Sequence, residues 1–178
     1  MGWLMALWMA CVTAHSPQMQ TIQNITVMDT FAVGKPQQKA EWGSPPSIRV
    51  CGNTKVSVLR VQKAVSYWRM LGYEFDSIFL DHSLNCAEPR YGEIIITLPT
   101  NNTSPDHLAS TRIYTEKITA NIAKAKIFMY PKEAAKQRVI EHEIGHALGW
   151  LHHPQKYHMM HPNWHLGGYD STGLRKKE

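Results

Sequence analysis

Three histidines and one glutamate lie within eleven residues of this sequence, at a spacing that suits metal-dependent hydrolysis. His142 and His146 are four residues apart, so in a helix their imidazoles lie one turn apart on the same face and can bind one metal ion. Glu143 lies beside them, and a carboxylate that is not a ligand can take a proton from metal-bound water. Gly149 can adopt a positive φ, which lets the chain turn back and bring His152 to the metal. Three protein ligands leave the fourth position open for water, so the spacing predicts a catalytic zinc site.

The pattern of apolar residues predicts the elements that must position these side chains. A helix over residues 133–149 presents an apolar stripe to the core and carries the first two histidines. An earlier helix is predicted to begin at an N-cap, Asn53 or Thr54, and to stop at Gly72. Strands are predicted at residues 48–51, 77–80, 93–98, 111–115 and 126–130. The order strand, helix, strands, helix predicts a twisted sheet with a helix packed on it.

The segment HEIGHALGWLH, from His142 to His152, resembles the HExxHxxGxxH signature of the metzincin zinc metalloproteases. Met160, eight residues beyond His152, is similar in spacing to the Met-turn of the matrixin branch. The run from Met160 to Trp164 resembles the matrixin Met-Tyr-Pro-x-Tyr segment. This resemblance implies an α+β, metzincin-like catalytic domain. Its sheet is twisted, mostly parallel and five-stranded with an antiparallel edge strand, and it is accompanied by a backing helix, an active-site helix and a short C-terminal subdomain.

The resemblance also implies roles for the matching residues. His142, His146 and His152 would bind one catalytic Zn²⁺, and Glu143 would act as general base and then general acid. Met160 would form a hydrophobic floor under the zinc without bonding to it. Calcium sites and a second zinc site cannot be carried over, because the sequence has no matching ligand pattern.

Substrate contacts follow from the same resemblance. Leu148, Pro162 and Trp164 would line the pocket for the residue just after the scissile bond. No Lys, Arg, Asp or Glu lies between Lys156 and Asp170, so the pocket is expected to accept apolar side chains and to reject charged ones. An extended substrate would add as a strand to the sheet edge at residues 110–115.

Two residues depart from the matrixin pattern. Position 153 is His where matrixins usually carry Ser, which makes His153 an alternative third ligand. Trp164 replaces a tyrosine of the pocket segment.

The N-terminal part of the chain differs in composition from the rest. Residues 1–15 contain no Lys, Arg, Asp or Glu and are predicted to be a signal peptide or N-terminal apolar leader, with a packed strand or helix as the alternative. Residues 16–46 are rich in Gln, Thr, Pro and Lys and are predicted to be a polar linker. Residues 47–178 would form the zinc metalloprotease catalytic domain. Cys11 faintly resembles a lipoprotein processing site and so a lipid anchor.

The two remaining cysteines, Cys51 and Cys86, bear on the cellular compartment of the protein. In an exported protein, Cys51 and Cys86 are expected to form a disulfide, and the alternative is two buried free thiols. The segment around Cys51 is superficially similar to the matrixin cysteine switch, but it falls in a predicted strand, which favours a structural role. Export predicts a secreted, periplasmic or cell-surface protein.

Bulk properties limit the class of protein. A chain of 178 residues suits one domain with a real core. The net charge is +5, but Lys and Arg are scattered, which favours a solvated surface over a nucleic-acid site. No apolar run approaches the roughly 20 residues that span a membrane.

The predicted function is therefore that of a zinc-dependent endopeptidase acting on a protein or peptide substrate through a zinc-activated water. Two alternatives remain. One is a zinc-binding surface or structural protein with a degenerate protease fold, and the other is a cell-wall peptide amidase. Neither the oligomeric state nor the natural substrate is indicated by the sequence.

Overall fold

One mixed sheet organises the chain. The structure, a computed structural model, describes residues 22–26, 34–100 and 107–177. Its strands are β1 (Ile22–Thr26), β2 (Ser47–Cys51), β3 (Ile78–Asp81), β4 (Glu93–Thr97), β5 (Ala109–Glu116) and β6 (Ile122–Met129). They lie in the order β1-β5-β6-β4-β2-β3. Strands β3, β2, β4 and β6 are parallel, whereas β5 is antiparallel to β6 and β1 is antiparallel to β5.

This arrangement confirms the α+β class and the mostly parallel sheet with an antiparallel strand. All five predicted strands are present, and the largest change in their bounds is at β6, which begins four residues early. Strand β1 adds a sixth strand beyond the predicted edge. The predicted leader, residues 1–15 with Cys11, lies outside the described residues. No helix in the described ranges is long and apolar enough to cross a membrane.

The centre of the sheet is covered on both faces, as is common for parallel strands. Every residue of β4 is buried. Ile94 and Ile96 belong to the main core together with side chains of the helices. Ile95 faces the other side and packs with Cys51 and Cys86, which form the predicted disulfide. The bond excludes two free thiols, and a bridged Cys51 cannot offer a thiolate to a metal.

The backing helix α1 (Val58–Met70) begins later than predicted. Its N-cap is Ser57, whose side chain accepts a hydrogen bond from the backbone N–H of Arg60. The predicted cap Thr54 instead bonds Cys51 O and the N–H of Val56, which holds Gly52–Thr54 in a separate 3-10 turn. The predicted stop is confirmed, because Gly72 follows the helix with φ +92°.

Helix α2 (Val139–Ala147), which the sequence suggested as an active-site helix, is shorter than the predicted 133–149. Arg138 precedes it in the left-handed region, at φ 68°, so the helix cannot extend back through this residue. Helix α2 is fastened to α1 through Glu141. The Glu141 carboxylate accepts two hydrogen bonds from Arg60, and its carbonyl accepts one from Nε1 of Trp68 at 2.8 Å.

The described parts of residues 16–46, the predicted linker, belong to the folded unit. Strand β1 lies in the sheet, and residues 34–46 lie against the end of α2. The N–H of Lys39 donates to Gly149 O at 2.9 Å, and Nε1 of Trp42 donates to Ala147 O at 2.8 Å. The folded unit therefore extends N-terminal to Ser47.

Candidate metal centre

Three predicted ligands converge at the end of α2. One side-chain nitrogen from each of His142, His146 and His152 lies within 4.8 Å of the others. The ring centroid of His146 is 4.6 Å from that of His142 and 4.6 Å from that of His152. Among the His, Cys, Asp and Glu side chains of the described ranges, these three histidines form the one group that could hold a metal ion.

Backbone carbonyl groups orient the two imidazoles on α2. Nδ1 of His142 lies 2.8 Å from Met159 O, and Nδ1 of His146 lies 2.7 Å from Trp150 O. A carbonyl oxygen only accepts, so each Nδ1 must carry the proton. Each Nε2 is then unprotonated and presents a lone pair, which is the tautomer that a metal ligand requires.

Two features of the triad fit a divalent cation. Nε2 of His146 lies 3.1 Å from Nε2 of His152. At the usual zinc–nitrogen distance, two tetrahedral ligands are about 3.3 Å apart, which is close to this separation. The donor set is three imidazoles with no thiolate or ligating carboxylate, which suits zinc and its neighbours among the transition metals.

The electrostatics of the triad also favour metal binding over protonation. Desolvation and the nearby His152 lower the pKa of His142 to about 3. Desolvation and the two other histidines lower the pKa of His146 well below its ordinary value. Both rings therefore stay neutral at physiological pH, so protons compete weakly with a metal ion.

Glu143 lies in the same cleft and is not part of the triad. Its side chain is buried and accepts a hydrogen bond from the Thr111 hydroxyl, with 2.6 Å between Oγ1 and Oε2. Burial raises the pKa of Glu143 to about 7, and the Thr111 hydrogen bond opposes this rise. The site thus places a proton acceptor with a near-neutral pKa beside the triad.

A tight turn carries His152 to the other two histidines. Gly149 has φ +95°, as predicted, and its N–H donates to His146 O at 2.8 Å. A side chain at this position would also collide with Ala40 O, so two constraints require glycine here. His153, the alternative ligand, is not part of the triad. Its ring packs edge-on against that of His158, with 4.6 Å between the ring centroids.

Met160 lies against the helix that carries the ligands. Its side chain is buried, and a Cβ on Gly145 would collide with the Met160 sulfur. Its carbonyl accepts from the N–H of His153 at 2.9 Å. The predicted Met-turn residue therefore packs on α2 directly before His146.

An open cleft of about 280 Å³ leads to the triad and Glu143. Ala109 and the two residues before it line one side. Of the three residues expected to line the specificity pocket, Pro162 and Trp164 line this cleft, and Leu148 does not. Leu148 lies two residues past His146, about 200° around the helix axis, so its buried side chain lines a different cavity. Val139, one turn before Glu143, lines the cleft instead.

The cleft also contains a cation that the sequence pattern did not indicate. Arg138 lines it and is half-buried, with its guanidinium carbon 5.5 Å from the centroid of the Trp164 ring. Its Nη2 donates to Trp164 O. No carboxylate of the described residues forms an ion pair with it. The expectation that a charged substrate side chain finds no ionic partner considered residues 156–170 only, and Arg138 adds a positive charge to the cleft.

The contact between Thr111 and Glu143 could not be predicted from the sequence either. Thr111 lies 32 residues before Glu143 on β5, and no local spacing relates the two positions. The sequence did carry one signal for Arg138, because this residue is four positions before His142 and so lies on the same face of the predicted helix 133–149.

No protein-family profile matches the sequence, and no curated protein matches it significantly. The assignment of the site therefore depends on the geometry and chemistry of its own residues.

Proposed function

We propose that the protein is a zinc-dependent endopeptidase of the metzincin type. The observation that supports this most strongly is the arrangement of Glu143 beside three convergent imidazoles in an open cleft. A structural metal site gains nothing from a buried carboxylate that is not a ligand, because burial of a charged group is costly. That cost is understandable where the carboxylate transfers protons.

The chain supplies the metal ligands, the proton carrier and the parts that orient them. A bound Zn²⁺ would lower the pKa of a water molecule and polarise the scissile carbonyl group. Glu143 takes a proton from the attacking water and gives it to the leaving amine nitrogen as the carbon–nitrogen bond breaks. The Thr111 hydroxyl holds Oε2 of Glu143 in place during this transfer. The backbone carbonyls at Met159 and Trp150 keep two ligands in the correct tautomer.

The structural features also fit an exported protein. The Cys51–Cys86 disulfide is typical of oxidising compartments, and the bond ties the loop after β3 to β2. We propose a secreted, periplasmic or cell-surface location, in which such a bond persists.

Replacing Glu143 tests the function directly. Because Glu143 is not a ligand, Glu143→Gln and Glu143→Ala should retain about one zinc per chain while peptidase activity falls by about a hundredfold to ten-thousandfold. Zinc content is measured by mass spectrometry after dialysis, and activity is measured on a peptide library with and without a chelator. Loss of zinc from both variants would contradict the role of Glu143. A wild-type protein that binds zinc and cleaves no peptide would favour the structural alternative.

Arg138 modifies the expected specificity for the residue after the scissile bond. Peptides with a medium-sized apolar residue at this position should still be cleaved, because Pro162 and Trp164 line the cleft. Because Arg138 is positively charged, peptides with an acidic residue there should be cleaved faster than peptides with a basic one. Arg138→Met should lower the Glu-to-Lys preference by roughly fivefold, as for a partly exposed ion pair. Lys136→Met is the matched control, because Lys136 also lies over the Trp164 ring but pairs with Glu133. Equal preferences in the two variants would contradict the role of Arg138.

A further inference from the structure

A short connection, residues 147–151, joins the ligand His146 to the ligand His152. Helix α2 ends at Ala147, at the start of this connection. The last carbonyl groups of a helix have no partner within the helix, so they must be satisfied from elsewhere. The partners of these carbonyl groups therefore bear on where the third ligand lies.

The N-terminal segment 37–42, which we call the brace, supplies these partners. Four hydrogen bonds join it to the connection. They are Trp42 Nε1 to Ala147 O at 2.8 Å, Gln38 Nε2 to Leu148 O at 2.8 Å, the Lys39 N–H to Gly149 O at 2.9 Å, and the Leu151 N–H to Gln37 O at 3.0 Å. The bonds extend from the end of α2 to the residue directly before His152.

The brace is fastened to the sheet as well as to the connection. Glu41 O accepts a hydrogen bond from the N–H of Ile122 at 2.7 Å, and Trp42 forms an isolated bridge with the same residue of β6. Ala40 is buried, and a Cβ added to Gly149 would lie 2.0 Å from Ala40 O. A segment held in this way by the sheet can keep the connection in one conformation.

The ligand His146 depends on the brace less than His152 does. Its Nδ1 lies 2.7 Å from Trp150 O, and the N–H of Trp150 donates to Gly145 O at 3.0 Å. This carbonyl group is thus positioned from α2 itself. Leu151, between Trp150 and His152, instead bonds to the brace.

We infer that the brace positions the third metal ligand, and that Gln38 and Trp42 are positioning residues for His152. This inference rests on the proposed metal centre and deepens it. Without the two side-chain donors, the carbonyl groups of Ala147 and Leu148 lose their partners and the connection adopts several conformations. His152 then reaches the metal in only a fraction of molecules, and the apparent affinity for zinc falls by that fraction.

A double-mutant cycle with His152 tests the inference on the full chain. Trp42→Phe removes the N–H donor and keeps an aromatic ring, and Gln38→Met keeps the length of the side chain without the amide. Competition titration with a chromophoric chelator measures the zinc affinity. The double variant should bind zinc at least about tenfold more weakly than the wild type, as when outer partners of metal ligands are replaced. In a His152→Ala background the same two replacements should cause little further loss, because the ligand that the brace positions is absent.

A control variant separates this effect from a general loss of stability. Thr54→Val removes a buried hydroxyl that bonds two backbone groups around the separate turn Gly52–Thr54. It should lower the Tm of the metal-free protein while the zinc affinity stays that of the wild type. A zinc affinity as low in this control as in the brace variant would show that any destabilisation weakens the site, and would overturn the inference.

The remaining outcomes distinguish the brace from the peptidase. Unchanged zinc affinity in the brace variant overturns the inference and leaves the peptidase intact. An equal loss in the presence and absence of His152 also overturns it, because the effect then does not act through this ligand. The expected cycle in a wild-type protein that cleaves no peptide supports the brace and overturns the peptidase. Absence of zinc binding by the wild type overturns both.

Discussion

Replacing Thr111 by valine removes one hydroxyl group from the metal centre while almost preserving the shape of the side chain. The hydroxyl donates to Oε2 of Glu143, and both side chains are buried. After the replacement the carboxylate loses this donor in a place where water has little access. The orientation of the proposed general base is then less well defined, although the three candidate metal ligands are untouched.

The magnitude follows from the charge of the acceptor. A hydrogen bond to a charged group contributes about 1.5–3 kcal/mol. Each 1.4 kcal/mol or so corresponds to about a tenfold change in rate. If the bond to Glu143 is needed in the transition state, Thr111→Val should lower kcat/KM by about 10-fold to about 150-fold. Most of the loss should fall on kcat, because a displaced base does not weaken substrate binding.

The assay is steady-state cleavage of a short quenched peptide at saturating zinc, with zinc content measured in parallel. Thr111→Ser keeps the hydroxyl and should recover most of the activity. Thr115→Val is the matched control, because Thr115 is a buried threonine four residues further along the same strand. If Thr111→Val is as active as the wild type, or if Thr111→Ser is as impaired as Thr111→Val, the hydrogen bond has no role in catalysis.

Two further predictions concern the metal ligands. His152→Ala should weaken zinc affinity by at least about a hundredfold in a competition titration, whereas His153→Ala should retain most of it; the reverse order would show that the wrong third ligand was chosen. In the metal-free protein the two ligands on α2 have lowered pKa values, so below about pH 6.5 the unfolded chain binds protons that the folded chain does not, and stability falls on acidification. Glu143, whose pKa is raised to about 7, has the opposite effect. It accounts for one proton, whereas the two histidines on α2 account for two. Thermal unfolding of the metal-free protein should therefore occur at lower temperature at pH 5 than at pH 7, with a smaller difference when both α2 ligands are replaced by glutamine. A higher Tm at pH 5 would refute this balance.

The part of the site that could be predicted is the part that local geometry determines. The period of a helix relates His142 to His146, and the conformational freedom of Gly149 explains how His152 returns to them. The buried strands could likewise be predicted, because burial on both faces requires continuous apolar runs such as that of β4. The disulfide could be predicted from the usual pairing of cysteines in exported proteins.

The remaining features depend on contacts between distant residues or on exceptional backbone conformations. Thr111 meets Glu143 only because β5 lies beside α2 in the folded chain. The left-handed conformation of Arg138 shortens α2, and no residue preference predicts it for an arginine. Strand β1, Ile-Gln-Asn-Ile-Thr, has too little apolar alternation to indicate a strand, and its pairing with β5 makes it one.

The contacts between the N-terminal segment and the turn before His152 have a consequence for the order of folding. The Gln38 side chain donates to Leu148 O, and Trp42 donates to Ala147 O, across 110 and 105 residues of chain. Because the entropy of closing long loops opposes contacts of such high sequence separation, we expect these two contacts to form late. The two ligands on α2 need only a helix and can be arranged early. The turn that brings His152 gains its support only after the beginning of the domain has docked on its end, so we expect the proposed metal ion to bind tightly only when folding is complete.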